Sequence, residues 1–154
     1  MSESILLSIS EYSKPEKVVK QKLCTVYYLK QRLSKPGREL IVGYNNAIPL
    51  ASGLKSNYIY LVRFFEKGNV AGNHYHKEKR ELLIPVNGEM EVHLENVETK
   101  EREKIIINSK QPVAIDVPTG IAHAIKSTKE GDIFLVVASN QSNDEDEISY
   151  QVIK

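Results

Sequence analysis

The segment Glu89-Met90-Glu91-Val92-His93-Leu94-Glu95 constrains the fold of this chain more than any other stretch. Met90, Val92 and Leu94 fall on one side of an extended backbone, and Glu89, Glu91, His93 and Glu95 fall on the other. A period of two is the pattern of a half-buried strand in an antiparallel sheet. Other runs lean the same way. Tyr27 to Leu29, Arg38 to Val42, Tyr58 to Phe65 and Ile133 to Ala138 are rich in β-branched and aromatic residues, which suit a pleated, partly buried surface. Turn signals part these runs at short intervals: Lys35-Pro36-Gly37, Ser52-Gly53, Lys67-Gly68-Asn69, Asn87-Gly88, Pro118-Thr119-Gly120 and Glu130-Gly131-Asp132. Many short strands with glycine and proline turns predict an all-β sandwich, jelly roll or barrel. One helix is expected, Lys14 to Gln21, opening at Ser13-Lys14-Pro15-Glu16.

The chain has 154 residues, enough for one domain with a real core and too few for two of ordinary size. The expected plan is an N-terminal extension over 1–24, a barrel over 25–139, and an acidic loop with a last strand over 140–154. A formal charge of +1 creates no global field that favours nucleic acid or an anionic membrane. The N-terminus, MSESILLSISEYSKPEK, carries neither a basic leader nor a long apolar run, and no window is apolar enough to span a bilayer. Cytoplasmic location is therefore the expectation. The single cysteine, Cys24, excludes an internal disulfide; within Leu23-Cys24-Thr25-Val26 it reads as a buried packing residue. The polar stretch Asn140 to Glu147 reads as a solvated loop before a last strand, Ile148 to Ile153, because it lacks the ligand spacing of a calcium loop.

The four histidines carry the functional signal. His74 and His76 are separated by one residue, so on a strand both point to the same face. Glu81 follows after four more residues, far enough to cross to the next strand and point back. His123 comes later, just beyond the Pro118-Thr119-Gly120 turn. Three imidazoles and a carboxylate converging inside a barrel suit a divalent first-row metal, with positions left for water or substrate. Left without a ligand or mutual partners, the same four groups would be costly to bury. His93 stands apart from this cluster as a hydrogen-bonded strand residue.

These residues resemble a known superfamily. Gly68, five residues, His74, one residue, His76, four residues, Glu81, six residues and Gly88 reproduce the first cupin motif. Pro118, one residue, Gly120, two residues and His123 reproduce the centre of the second. Pro112 stands where that second motif has glycine, and Ser127 where it has asparagine. The resemblance implies a cupin double-stranded β-helix, a jelly-roll barrel, with a short N-terminal extension.

Within the cupins the chain is similar to the sugar 3,4-ketoisomerases, which convert dTDP-4-keto-6-deoxyglucose to its 3-keto isomer. The likeness runs through Arg38-Glu39-Leu40-Ile41-Val42, Ala47-Ile48-Pro49-Leu50, Tyr58-Ile59-Tyr60 and Gly72-Asn73-His74-Tyr75-His76-Lys77. It continues at Ile115-Asp116-Val117-Pro118-Thr119-Gly120 and Leu135-Val136-Val137-Ala138-Ser139, and ends in the acidic Asp144-Glu145-Asp146. Two departures matter. Ala71 precedes Gly72 where that family carries arginine, and Glu81 stands where it carries glutamine and works without metal. The zinc-binding cupin domains of capsular-polysaccharide reductases share the Gly-Asn-His-x-His run with a following glutamate. Both relatives imply a nucleotide-linked sugar as partner, and polysaccharide biosynthesis as the setting.

The functional expectation is an enzyme, an isomerase or epimerase of a nucleotide sugar, with a bound divalent metal (Zn, Fe, Mn or Ni). Its ligands would be His74, His76, Glu81 and His123. Without metal, His74 and His76 would serve as acid and base, with Tyr60 or Tyr75 stabilising an oxyanion. Those roles exclude one another, because a metal-bound nitrogen cannot also take a proton. An iron-dependent dioxygenase and a non-catalytic metal or small-molecule binding cupin are the alternatives. The resemblance also implies a homodimer, with the segment before residue 30 as the candidate for exchange between subunits. The balanced charge and the lack of an apolar span lead to the expectation of no nucleic-acid or membrane partner.

Overall fold

The structure, a computed structural model, describes residues 13–46, 52–108, 110–142 and 144–154. Along these residues run the strands β1 (Lys17–Lys20), β2 (Thr25–Tyr28), β3 (Gln31–Lys35), β4 (Arg38–Ile41), β5 (Tyr58–Phe64), β6 (Val70–His76) and β7 (Glu81–Pro85). They are followed by β8 (Glu89–Asn96), β9 (Arg102–Asn108), β10 (Val113–Val117), β11 (Ile121–Ser127), β12 (Ile133–Ser139) and β13 (Glu147–Ser149). A 3-10 turn, Asp144–Asp146, leads into the last of them.

Two antiparallel sheets face each other. One has six strands in the order β1-β2-β10-β7-β12-β5; the other has five, β13-β6-β11-β8-β9; β3 and β4 form a separate hairpin. This is the jelly-roll barrel of the cupins, as the motif spacing predicts. The alternation in β8 works as read: Met90, Val92 and Leu94 are buried, and they meet Val26, Leu83, Ile115, Leu135 and Val137 from the six-stranded sheet. Burying each such side chain contributes roughly 1.5–3 kcal/mol, which makes this interface the main stabilising layer. The six-stranded sheet is covered on its other side too. Tyr27, Leu29, Leu54, Leu82, Ala114 and Ala138 form a second apolar cluster there. Leu82 and Leu83 are therefore both buried although they point to opposite faces.

The helix expected over Lys14 to Gln21 does not form. Lys17–Lys20 is strand β1, paired antiparallel with β2 from Lys17↔Tyr28 to Lys20↔Thr25. Val18 and Val19 are β-branched, and the free edge of β2 offers them a ladder, which outweighs the local start signal. β1 thus lies inside the region read as an extension, while residues 1–12 of that region fall outside the described residues, as does Ala47-Ile48-Pro49-Leu50. Cys24 is buried, and burial first, then the charges of Glu103 and Asp116, push its thiol up to about 12, so it packs as an inert apolar group. Ser127 does the work of a turn residue. Its hydroxyl donates to the Glu66 carbonyl at 2.7 Å, and its backbone bonds Gly68 and Asn69.

Candidate metal centre and cavity

Strand β6 delivers two of the four cluster residues, and a bulge sets their aim. His123 pairs with His74 while Ala124 pairs with Gly72, so Asn73 is an extra residue on β6. Gly72 and Asn73 both take left-handed backbone angles, with φ of 96° and 61°. At Gly72 this is compulsory, because a Cβ there would lie 2.6 Å from the His123 carbonyl oxygen. The close approach draws β6 onto β11 and sets His74 directly across from His123. Glu81, the first residue of β7, reaches in from the opposing sheet.

The four side chains meet as the spacing predicts. One ligating atom from each of His74, His76, Glu81 and His123 lies within 4.8 Å of all the others, and the last three residues are buried. Glu81 Oε2 is 2.9 Å from His123 Nε2, and Glu81 Oε1 is 3.7 Å from His76 Nε2. The outward nitrogens are held by oxygens. His76 Nδ1 donates to the Asp146 carbonyl and His123 Nδ1 to the Ile121 carbonyl, each at 3.2 Å. His74 Nδ1 faces Glu147 Oε1 at 3.3 Å. A carbonyl oxygen only accepts, so at His76 and His123 the proton belongs on Nδ1 and the Nε2 lone pair is directed inward.

That arrangement leaves chemistry unfinished. His74 Nε2 and His76 Nε2 are buried with no hydrogen-bond partner. Orphaned buried groups cost about 1–3 kcal/mol each. Glu81 and His123 also place a carboxylate oxygen against an imidazole nitrogen, a contact that needs either a second proton on His123 or a cation between the two. A divalent metal removes both difficulties, so the residues present fit one. His74 is pushed down to about 4 by burial first, then by the adjacent His123 and His76, and is a neutral imidazole with a free lone pair at neutral pH. Burial opposes ionisation of Glu81, but without a metal, hydrogen bonds and charge from the His123 and His76 imidazoles, which require a second proton on those rings, outweigh it and hold the carboxyl below its usual range.

Beside the cluster opens a cavity of about 290 Å³. His74, Glu81 and His123 form one wall, aliphatic Val62, Leu83, Leu135 and Val137 form another, and Tyr58, Lys79 and Glu147 complete it. Tyr60 lines it as well, donating its phenol to Glu81 Oε1 at 3.0 Å. Burial, then Glu81, raise that phenol far above its usual range, so it stays a donor. A second cavity of about 200 Å³, between Ile41, Ile84 and Pro112, is lined by one titratable group, the exposed Glu39. The convergent chemistry is at the histidine cavity.

The profile of the polysaccharide biosynthesis C-terminal domain family matches residues 56–149, which include all four cluster residues, Tyr60 and Glu147. The chain belongs to that family. No curated protein matches this polysaccharide biosynthesis C-terminal domain. Solved structures do. The capsular polysaccharide assembling protein CapF from Staphylococcus aureus aligns with a TM-score of 0.59 and 16% identity over 88% of this chain. The chain spans 34% of CapF, about a third of its length. NovW from Streptomyces spheroides, a 4-keto-6-deoxy sugar epimerase, aligns with a TM-score of 0.72 and 14% identity, over 85% of this chain and 71% of its own. QdtA from Thermoanaerobacterium thermosaccharolyticum, a sugar 3,4-ketoisomerase solved with TDP, aligns with a TM-score of 0.67 and 19% identity, over 86% and 91%. At these identities the likeness establishes the shared cupin fold.

The domain corrects two readings of its own sequence. Tyr75 is not brought to the cavity. It lies between His74 and His76 on β6 and so points to the other face, where its ring meets Tyr150 at a centroid distance of 6.0 Å. The acidic stretch is not wholly a solvated loop. Asp146 is buried and accepts backbone hydrogen bonds from Lys77, Glu78 and Lys79, and Glu147 reaches the cavity. The only sequence signal for Glu147 is its place immediately before the strand expected over Ile148 to Ile153; the observed strand begins one residue earlier, at Glu147. His93 bonds Glu91 at 2.8 Å on the solvent side of β8, away from the cluster.

Proposed function

We propose that the protein is an isomerase or epimerase of a nucleotide-linked sugar, of the 3,4-ketoisomerase kind, with a divalent metal held by His74, His76, Glu81 and His123. The observation that carries the metal assignment is the pair of buried, unpartnered nitrogens on His74 and His76. The sugar assignment is supported by the sequence resemblance to ketoisomerases together with the fold shared with NovW and QdtA. Zn, Fe, Mn and Ni all suit such a mixed nitrogen and oxygen set.

When bound, the metal supplies Lewis-acid polarisation of the substrate carbonyl. The protein's own residues bind and orient the sugar and handle its proton. Moving a ketone to the adjacent carbon requires removal of the proton beside the carbonyl and its return one carbon away. With three imidazoles committed as ligands, the groups left on the cavity wall that can carry or accept a proton are Tyr58, Tyr60, Lys79 and Glu147, of which Tyr60 contacts Glu81 and Glu147 faces His74. Tyr60 holds its proton at the phenol oxygen, and Glu147 presents a carboxylate. The aliphatic wall excludes water from the sugar ring. Ala71 places a methyl where the ketoisomerases carry arginine, so the nucleotide phosphates of this substrate take a different anchor.

Incubation with dTDP-4-keto-6-deoxyglucose, followed by NMR, tests the reaction. A 3-keto or epimerised product is expected; an unchanged substrate with no binding contradicts it. Oxygen uptake by the ferrous-loaded protein separates it from a dioxygenase built on the same ligands. Metal retention without turnover of any nucleotide sugar is the result that a non-catalytic binding module would give. We place the protein in the cytoplasm, consistent with its single buried thiol, and as a homodimer through sheet edges. The edge strand β5 exposes Ile59 and Leu61, and the molar mass in solution tests this.

A further inference from the structure

We propose that Asp146 and Glu147 are positioning residues of the metal centre, and that metal loading and docking of segment 144–154 form one linked equilibrium. This rests on the metal reading above and extends it to the C-terminal segment. Two of the three outward imidazole contacts come from these consecutive residues: the Asp146 carbonyl on His76, and the Glu147 carboxylate on His74. Asp146 acts a second time through its side chain. Its carboxylate accepts the backbone N–H groups of Lys77, Glu78 and Lys79 at 3.0, 2.9 and 2.7 Å. Those residues form the turn between His76 and Glu81. One residue therefore fixes an imidazole and closes the turn that leads to the carboxylate ligand.

The rest of the segment is fastened to the same strand. β13 pairs with β6 from Glu147↔His76 to Ser149↔His74. Beyond it, the Tyr150 N–H donates to the Asn73 carbonyl at 2.8 Å, and the Val152 and Ile153 N–H groups donate to Asn73 Oδ1, each at 2.9 Å. Asn73 is the bulged residue that aims His74. Val152 is buried against Ala122 and Ala124, which flank His123. A three-residue edge strand has little stability of its own, so its seating depends on what it touches, and what it touches is the ligand set. Outer partners of metal ligands change affinity by about 10–100-fold. By reciprocity, whatever docking gives to metal affinity, metal gives to docking.

The test measures Zn(II) and Co(II) affinity, by competition with a chelating indicator, for the full chain and for Glu147→Gln and Asp146→Asn. Amide hydrogen exchange is followed with and without metal. Both variants are expected to bind metal about 10-fold or more weakly. The Glu147 side chain is half exposed and its substitution leaves the backbone pairing with His76 in place, so the metal-free Glu147→Gln protein should melt within about 2 °C of the parent. In the parent, metal should slow exchange at Tyr150, Val152 and Ile153, and Glu147→Gln should lose most of that protection. Affinity within about twofold for Glu147→Gln, or exchange at those three amides that ignores metal, overturns the inference while leaving the metal site intact. If the parent itself takes up no metal, the metal reading fails and this one falls with it; the parent titration alone reveals that case.

Discussion

Gly72 lies so close to His123 that a Cβ at position 72 would stand 2.6 Å from the His123 carbonyl oxygen, and its φ of 96° is one that side chains rarely adopt. Backbone and backbone meet here, so neither can yield cheaply. The contact holds β6 against β11 where His74 and His123 share a ligand set.

Gly72→Ala should therefore destabilise the fold and open the cluster. Strain at a left-handed angle plus a backbone clash predicts a loss of about 2 kcal/mol or more, read by urea unfolding, together with weaker metal binding. A variant within about 0.5 kcal/mol of the parent would show that β6 can retreat without cost.

Tyr60→Phe removes the phenol that donates to the buried Glu81 carboxylate at 3.0 Å. A buried carboxylate left short of a donor costs about 1–3 kcal/mol. The proposed reaction should slow as well, because a proton-carrying group leaves the cavity wall. Denaturant unfolding and the NMR assay check the two effects separately, and unchanged stability would place the Glu81 charge under other control.

His123→Ala should abolish tight metal retention, while His93→Ala should leave it unchanged, since His93 bonds Glu91 on the solvent side of its strand. Elemental analysis of the two purified variants distinguishes a four-residue cluster from general histidine affinity. Equal retention by both would defeat the assignment.

Acid should unfold the metal-free protein in a window set by His74. Its folded pKa is pushed down to about 4 from 6.5, by burial and then by His123 and His76. Between those values the unfolded chain binds a proton that the folded chain does not. Stability is thus present above pH 6.5 and is lost as the pH falls toward 4. Glu81, with its carboxyl held below the usual range, adds a loss of the same sign at lower pH. Melting temperatures in the presence of a chelator should fall across this window, and His74→Asn should flatten the fall; parallel curves would count against it.

Much of this was readable from the sequence because it depends on period and spacing. Alternation in β8 fixed its buried face, and the interval from His74 to Glu81 let one strand return the carboxylate to its partners. The features that the sequence does not reveal depend on long-range pairing. Lys17–Lys20 carries helix-start residues but meets the open edge of β2. Asp146 and Glu147 look like solvated acids until β13 pairs with β6 and carries them to His76 and His74. Of the two tyrosines offered for the oxyanion, Tyr60 lines the cavity and Tyr75 does not, as its place between two inward histidines requires.

Metal content tests the central claim most directly. The purified protein, exposed to Zn(II), Fe(II), Mn(II) or Ni(II) and freed of excess, should retain about one equivalent of a preferred metal per chain. Glu81→Gln should retain far less. Retention of none of these metals by the parent, or equal retention by Glu81→Gln, would contradict the assignment of His74, His76, Glu81 and His123 as a metal centre.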